Sequence, residues 1–220
     1  MNAVLIPDST SLDKDALDSV LILDPGTIRE FVDAREIAGI DRFDEVWEGR
    51  LVVPPMPNNE HYILAMKLTE AFSAVIDWDR GDYALPGGNL SDREDWKSNY
   101  RAPDAIVILA AGACENRESH WYGGPDLVLE ILSPGEKKFA KFDFYAKIGT
   151  REVLIVDRKP WSIELFRLVE GKLVSAGLSN LANPQWLASQ SLPLTFRLLP
   201  GKSRPQIEIV QLETGKRWLA

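Results

Sequence analysis

The stretch GPDLVLEILSP, residues 124–134, combines a strongly apolar strand with two carboxylates. Its middle consists of Val, Leu and Ile, as in a strand that is buried on both faces. Because side chains alternate along a strand, Asp126 and Glu130 are predicted to share one face, opposite Leu127, Leu129 and Ile131. An ionised carboxylate in such surroundings is costly unless a cation or strong donors meet it. The stretch therefore predicts a positively charged partner beside these acids.

A helix and a second buried strand follow this stretch. The segment GEKKFAKFDFYAKIG, residues 135–149, is predicted to be helical. Its apolar positions recur at three-residue steps along one face and are Phe139, Phe142, Tyr145 and Ile148. The segment EVLIVD, residues 152–157, has the pattern of a buried strand, and further alternating strands follow at 162–168, 172–177, 192–199 and 206–212. This order of elements favours a mixed α/β domain.

Upstream segments extend the same fold. The segment 27–39 is predicted to be a helix with Thr27 as its N-cap and Gly39 at its end. The segment FDEVWEGRLVVPP, residues 43–55, predicts a hairpin that turns at Glu48 and Gly49. A long amphipathic helix is predicted from Asn59 to about residue 78, and strands at 82–85 and 101–109. Residues 1–24 are interpreted as a loosely ordered arm and residues 25–220 as a single domain.

The composition limits the classes of function. The chain has 220 residues and a formal net charge of -8, whereas proteins that hold DNA by electrostatics alone are basic. The balance is compatible with an enzyme whose carboxylates hold metal ions. The start of the chain does not resemble a signal peptide, and no stretch reaches the ~18 apolar residues of a membrane span. A cytoplasmic protein without membrane contact is expected, and the single Cys114 is interpreted as an inert thiol.

Two predicted strands begin with the same dipeptide, Pro103-Asp104 and Pro125-Asp126. An Asp at the start of a buried strand can face a cleft at the sheet edge, so Asp104, Asp126 and Glu130 could converge. Oxygen ligands of this kind suit Mg²⁺ or Mn²⁺. The alternative is that each Asp caps a turn by binding nearby backbone amides. A turn does not explain Glu130, which lies in the middle of its strand.

Four segments resemble a known family. They are RAPDAIVIL, GGPDLVLEILSP and KFDFYAKIGTREVLIVD, with DEVWEGRLVVPPMPNNEH upstream, and they are similar to the Uma-type restriction endonucleases of the PD-(D/E)XK nuclease superfamily. The resemblance runs from about residue 27 to 167 and more loosely to 196. It implies an α/β fold with a restriction-endonuclease-like mixed β-sheet core, flanked by helices and carrying extra β-hairpins. It also implies metal-dependent hydrolysis of phosphodiester bonds, with DNA as the expected substrate.

The resemblance assigns roles to particular residues. It implies Asp104 and Glu130 as ligands of Mg²⁺ or Mn²⁺, the carbonyl of Ile131 as a third ligand, and Glu45 as a further acid near the metal or its water. The superfamily usually places a catalytic Lys two residues after the strand acid, where this chain has Leu132. Lys141 matches a position to which the amine has migrated in this branch.

Three further residues are possible accessories. His61, at the start of the long predicted helix, is interpreted as a capping-region side chain that faces solvent; the alternative places it at the cleft rim near Glu45. Tyr145 lies one helical turn beyond Lys141 and is expected in the core or in a cleft wall. Asp126 is interpreted as an outer acid of the site or as a cap.

Three functions remain open from the sequence. The leading hypothesis is a metal-dependent DNA endonuclease, which as a homodimer would present two symmetric sites to two strands. A catalytically inactive module for binding or oligomerisation is the first alternative, and a hydrolase of small phosphoesters is the second. Basic residues that could position phosphates near the cleft are Arg101, Lys137, Lys138, Lys141, Lys147 and Arg151.

Overall fold

The computed structural model describes residues 21–23, 25–39, 41, 43–133 and 137–220. Within them lie three α-helices, which are α1 (Pro25–Ala38), α2 (Asn59–Ser73) and α3 (Phe142–Ile148). The first nine strands are β1 (Leu21–Leu23), β2 (Glu45–Trp47), β3 (Arg50–Val53), β4 (Tyr83–Leu85), β5 (Leu90–Ser91), β6 (Tyr100–Arg101), β7 (Ala105–Ile108), β8 (Glu115–Asn116) and β9 (Trp121–Tyr122). The other eight are β10 (Leu127–Ile131), β11 (Glu152–Arg158), β12 (Trp161–Val169), β13 (Lys172–Asn180), β14 (Leu187–Ala188), β15 (Leu194–Leu199), β16 (Gln206–Gln211) and β17 (Arg217–Leu219).

The central sheet has the strand order β13-β12-β11-β10-β7-β4. Strands β10 and β11 are parallel and joined through α3, while the other neighbouring pairs in this sheet are antiparallel. A parallel pair requires a crossover connection, and the chain supplies a helix for it. This mixed sheet with helices confirms the predicted α/β class.

The side chains of β10 alternate as the sequence predicted. Leu127, Leu129 and Ile131 pack in an apolar cluster with α2 and the C-terminal strands. Val128 lies on the opposite face, in a second cluster with residues of α3 and β11, including Tyr145. Glu130 therefore projects from an otherwise apolar strand toward α3, where apolar neighbours alone could not stabilise its charge.

A second sheet, with the order β1-β3-β2-β6-β5-β9-β8, is formed by strands that lie between Leu21 and Tyr122. Its hairpin β2–β3 turns at Glu48 and Gly49, as predicted, and both residues have positive φ, 47° and 80°. A two-residue turn of this kind matches the twist of paired strands, and Gly meets the positive φ without strain. The hairpin places Glu45 on β2 next to the chain that leads into β7.

A third sheet, β14-β15-β16-β17, packs against α2 and the central sheet through the first apolar cluster. Glu152, the first residue of β11, ties this part of the chain to the central sheet. Its buried carboxylate binds Arg167 Nε at 3.1 Å, accepts from the hydroxyl of Ser189, and accepts from the backbone N–H groups of Gln190 and Ser191 at 3.0 Å each.

The boundaries of several elements differ from the prediction. Helix α1 begins at Pro25 instead of capping at Thr27, although Gly39 ends it with a φ of 65° as predicted. Residues 21–23 of the predicted arm form β1, which pairs with β3; residues 1–20 and 24 of that arm lie outside the described residues. Because helix ends depend on local capping contacts, sequence patterns place them only to within a few residues.

The two helices nearest the site are shorter than predicted. Helix α2 ends at Ser73 and not near residue 78. Residues Trp78–Arg80 form a separate 3₁₀ turn, which Asp77 caps by accepting a hydrogen bond from Arg80 N. Helix α3 begins at Phe142, and residues 137–141 before it form successive tight turns. Residues 135 and 136 of the predicted helix lie outside the described residues. Phe139 is consequently 61% exposed and not part of a buried helical stripe.

Within the described residues, the helices are all too short or too polar to cross a membrane.

Candidate active site

Glu45, Asp104, Glu130 and Lys141, the four predicted catalytic residues, line one cavity of about 90 Å³. The carboxylates come from β2, from the residue before β7 and from β10, and the amine comes from the start of α3. The chain thus collects the four groups from elements that are far apart in sequence. Ile131 also lines this cavity.

Glu130 has the cationic partner that its apolar strand predicted. Lys141 Nζ lies 3.1 Å from Oε1 and 3.2 Å from Oε2 of Glu130. The hydroxyl of Tyr145, one turn further along α3, donates a hydrogen bond to the same carboxylate. Burial, followed by the charge of Glu130, raises the pKa of Tyr145 well above its ordinary value, so the phenol remains a donor at neutral pH.

Lys141 is shared between two acids. Its Nζ lies 3.0 Å from Glu45 Oε1 as well as beside Glu130, and its side chain is 13% exposed. Lys141 occupies the N-cap position of α3, not an interior position of a longer helix. Leu132, at the position where the superfamily usually carries its lysine, is buried in the apolar cluster of α3.

Glu45 is held rigidly on β2. Its Oε1 accepts from Ala102 N at 2.9 Å, and its Oε2 accepts from Trp47 Nε1 at 2.6 Å. Burial alone would raise the pKa of Glu45, but the charges of Lys141 and Arg101 and the hydrogen bond from Ala102 N outweigh it, so the net pKa is lowered. Glu45 is therefore an ionised anchor for the Lys141 ammonium.

Asp104 is oriented by two donors. Its Oδ2 accepts from Ile131 N at 2.6 Å, and its Oδ1 lies 2.6 Å from His61 Nε2. Because an ionised carboxylate can only accept, Nε2 of His61 carries the proton in this contact. The contact with Ile131 N places Asp104 beside the strand that carries Glu130.

The interpretation of His61 as a solvent-facing residue is wrong. Asn58 caps α2 by accepting from His61 N at 3.0 Å, as a capping region should, but the His61 side chain is only 6% exposed and lines the cavity. The sequence held a signal for this position. His61 lies three and four residues before Leu64 and Ala65, at the start of the buried stripe of α2.

Asp126 does not join the other acids, although it shares a face of the strand with Glu130. It lies just before β10, at the other end of the strand from Ile131, and its Oδ2 accepts from Leu109 N at 2.7 Å. Arg151 lies 3.0 Å from its other oxygen. Burial raises the pKa of the Asp126 carboxyl group. The pKa of the nearby Cys114 thiol is raised to about 12, mainly by burial and secondly by the charge of Asp126. Asp126 is a turn cap, the second of its two predicted roles, and Cys114 has little nucleophilic thiolate at neutral pH.

Arg101 has a role that sequence reasoning missed. It is buried, with its guanidinium 4.8 Å from the Trp47 ring centroid and 4.3 Å from that of Phe144, and its NH1 donates to Val46 O. It stabilises the charge of Glu45 from within the protein and does not present itself to phosphates. Lys138 and Lys147 of the predicted basic strip pair with the acids Glu164 and Asp92.

The donor set of the cavity fits a Mg²⁺ or Mn²⁺ ion that is held only in part by the protein. Asp104 and Glu130 are hard oxygen donors on neighbouring strands and line the same space. In the described part of the chain, no three His, Cys, Asp or Glu side chains gather closely enough to hold a metal on their own. Magnesium sites commonly use one or two carboxylates and fill the remaining positions with water and substrate phosphate.

A protein of known structure has a fold similar to that of this chain. A solved structure from Anabaena variabilis ATCC 29413, described as a putative nuclease belonging to DUF820, superposes with a TM-score of 0.54. It is 17% identical to this chain, and the match covers 67% of this chain and 82% of the other. At this identity the likeness concerns the fold. A search of the curated proteins gives no significant match.

The family comparison covers most of the chain. The model of the Uma2 family, described as "Putative restriction endonuclease", matches residues 32–200. That range contains Glu45, Asp104, Glu130 and Lys141 and the elements that bring them together. The chain belongs to the Uma2 family, as the resemblance of its strand and helix motifs predicted.

Proposed function

We propose that this protein is a metal-dependent endonuclease that hydrolyses phosphodiester bonds in DNA at the cavity of Glu45, Asp104, Glu130 and Lys141. Membership of the Uma2 family supports a nuclease. The observation that carries the assignment of the site is the Lys141 ammonium, which lies between Glu45 and Glu130 in a cavity also lined by Asp104. The metal dependence and the choice of DNA belong to the proposal.

Asp104 and Glu130 would hold the Mg²⁺ or Mn²⁺ ion, with the carbonyl of Ile131 as a further ligand. When bound, such an ion lowers the pKa of water, polarises the phosphoryl oxygen and offsets the charge of the leaving group. His61 Nε2 and Ile131 N fix the two oxygens of Asp104, so its carboxylate is oriented before an ion arrives.

Lys141 supplies the positive charge that belongs to the protein itself. An ammonium beside the acids can donate a hydrogen bond to an attacking water or to a phosphate oxygen whose charge grows during the reaction. Glu45 holds this ammonium, and Ala102 N and Trp47 Nε1 hold Glu45 in turn. Tyr145 donates to Glu130 from the buried side and keeps its carboxylate facing the cavity.

Cleavage of end-labelled DNA with Mg²⁺ or Mn²⁺, given both as single strand and as duplex, tests this proposal. Glu130→Gln and Lys141→Met remove one charge each with little change in side-chain shape. Their matched controls are Glu213→Gln and Lys202→Met, which alter exposed residues in the C-terminal part of the chain. Removing one preorganised group of a site typically costs ~10²–10³ in rate.

We expect metal-dependent cleavage by the wild type and by both controls, and a loss of at least that size in both site variants. Cleavage that persists at the wild-type rate in Glu130→Gln and Lys141→Met would place the activity elsewhere. A wild type that cuts neither single-stranded nor duplex DNA with either metal would refute the proposed activity. A homodimer and a cytoplasmic location stay predictions from the sequence.

A further inference from the structure

A larger groove opens directly from the candidate active site. Its volume is about 700 Å³, within the ~300–1,000 Å³ range of small-molecule and cofactor pockets. It shares five wall residues with the site cavity, which are Phe43, Pro57, His61, Ala102 and Asp104. A group bound at the end of the groove that these five residues form is therefore next to the Asp104 carboxylate.

The walls of the groove are aromatic and apolar. Tyr62 on α2 is 41% exposed, and its ring centroid lies 6.3 Å from that of Phe43. Met66, one turn further along α2, is 60% exposed. The opposite wall includes the loop from Pro86 to Asn89. Exposed aromatic rings of this kind offer flat faces on which other planar groups can stack.

The charge of the groove disfavours phosphate, because its described lining carries acids without a lysine or arginine, whereas the site cavity has both acids and lysines. Among the described residues that line it, the acids Glu70 and Asp104 are present and neither Lys nor Arg is found. A phosphate group in this space would meet negative charge, whereas a nucleobase is neutral and planar. Of the two parts of a nucleotide, the base suits the groove, and the phosphate suits the neighbouring cavity that contains the Lys141 ammonium.

The enclosure of the site limits the form of the nucleic acid. The side chains of Asp104 and Glu130 are only 20% and 8% exposed, so the scissile phosphate must enter a recess between β2, β7, β10 and α3. A base inside a duplex is stacked and paired and cannot turn into an adjoining groove unless it leaves the helix. An unpaired strand can do so without that cost.

We propose that this groove binds a nucleobase beside the scissile phosphate and that the substrate is DNA that is unpaired at the point of cleavage. The inference rests on the proposed function and adds the class of substrate to it. Tyr62 is the residue on which the base stacks, so Tyr62 determines the preference for unpaired DNA without taking part in the chemistry.

Binding without cleavage gives the first test. Single-stranded and duplex oligonucleotides with one 2-aminopurine, a base whose fluorescence falls on stacking, are titrated with the full chain in EDTA. The wild type is expected to bind the single strand with quenching and the duplex at least tenfold more weakly. Tyr62→Leu should weaken single-strand binding about tenfold, since a stacking contact contributes roughly that much, and Tyr62→Phe should retain it.

The matched control is Ile63→Ala, on the same helix and 44% exposed but outside the groove. It should bind as the wild type does. Equal binding of duplex and single strand, or equal quenching in Tyr62→Leu and wild type, would overturn the inference. So would a second copy of this chain as the occupant, which would appear as a dimer in sedimentation that Tyr62→Leu dissociates without any change in strand preference.

Cleavage assays separate the two proposals. With Mn²⁺ present, preferential cutting of single strands that Tyr62→Leu reduces and Tyr62→Phe preserves supports both proposals. A duplex that is cut as fast as the single strand, with the activity still lost in Glu130→Gln, overturns the substrate class and leaves the nuclease intact. Quenched single-strand binding that depends on Tyr62, without cleavage of any DNA, keeps the groove as a base-binding site and refutes the proposed DNA endonuclease.

Discussion

The ammonium of Lys141 lies 3.1 Å from Oε1 of Glu130, although the two residues come from different elements, the start of α3 and the C-terminal end of β10. An acid in a buried strand therefore obtains its counter-charge from the helix that follows, across the turn of residues 137–141. The usual superfamily position for the amine is filled by Leu132, which packs in an apolar cluster. Because the ammonium comes from the start of α3, Glu130 has a cationic partner while position 132 stays apolar and buried.

Removal of the Lys141 charge should destabilise the fold as well as abolish cleavage. Lys141→Met leaves Glu45 and Glu130 buried without their shared cation, and the loss of one partner from such a group costs about 3 kcal/mol. Urea unfolding should show this decrease. The double variant Lys141→Met/Glu45→Gln removes one of the two buried carboxylate charges that Lys141 bridges, so it should recover part of the stability and none of the cleavage. A single variant as stable as the wild type would contradict the bridging role of Lys141.

Glu45 should give the fold a stability that is sensitive to acid. The net pKa of Glu45 lies below its ordinary value of 4.5 in the folded chain, since the charges of Lys141 and Arg101 outweigh the effect of burial. The unfolded chain then takes up the proton first as the pH falls, so this stabilisation is present above about pH 4.5 and is lost as the pH falls through the folded pKa.

The free energy of unfolding, measured by urea titration between about pH 6 and pH 3.5, should fall more steeply in the wild type than in Glu45→Gln. The variant cannot be protonated at this position, so it lacks this part of the pH dependence. If the free energy of unfolding has the same pH dependence in both proteins, the neighbours of Glu45 do not lower its pKa in the folded state.

His61 should act on cleavage through Asp104. Without the contact of 2.6 Å, the Asp104 carboxylate loses one of its two fixed donors. Partners that orient a ligating group are commonly worth 10–100-fold in metal affinity. His61→Ala should therefore raise the Mn²⁺ concentration for half-maximal cleavage about tenfold, and His61→Gln, whose amide can reach Asp104, should raise it less. An unchanged Mn²⁺ requirement in His61→Ala would show that His61 does not orient Asp104 for metal binding.

Glu152 should contribute to stability and not to catalysis. Its carboxylate binds Arg167, the Ser189 hydroxyl and two backbone N–H groups. Glu152 pairs with Leu127, at the end of β10 opposite the cavity residue Ile131. Glu152→Ala leaves these donors buried without an acceptor, which should lower the free energy of unfolding by about 3 kcal/mol. Cleavage per folded molecule should stay at the wild-type rate. A variant that unfolds like the wild type would show that water replaces this carboxylate.

The elements that the sequence predicted well are those with a strong period. Strand β10 is an apolar run of five buried residues, broken only by Glu130, and the buried stripe of α2 repeats at helical spacing, so both elements could be assigned without a structure. Short strands such as β5, β8, β9 and β14 contain two residues each. They exist because a partner strand lies beside them, and two residues carry no period, so no local pattern predicted them.

The sequence indicated the four residues that line the cavity and a cationic partner for Glu130, but not most of the other contacts. Asp104 and Glu130 stood out from their strand positions, and Glu45 and Lys141 came from the motif resemblance. The burial of His61 and Arg101 depends on tertiary packing, which for Arg101 includes the rings of Trp47 and Phe144. Asp126 shows the limit most clearly. It has the same Pro-Asp context as Asp104 and shares a strand face with Glu130, yet the length of the strand separates it from the cavity, and it caps a turn.

The two Pro-Asp pairs allow the most direct test of the candidate site. Single-turnover cleavage of an end-labelled DNA single strand with Mn²⁺ should be compared among the wild type, Asp104→Asn and Asp126→Asn, each at equal folded concentration. Asp104 lines the cavity and Asp126 binds Leu109 N away from it, so cleavage should fall at least ~10²-fold in Asp104→Asn and stay near the wild-type rate in Asp126→Asn. Retained cleavage in Asp104→Asn, or an equal loss in both variants, would contradict the assignment of the catalytic site to this cavity.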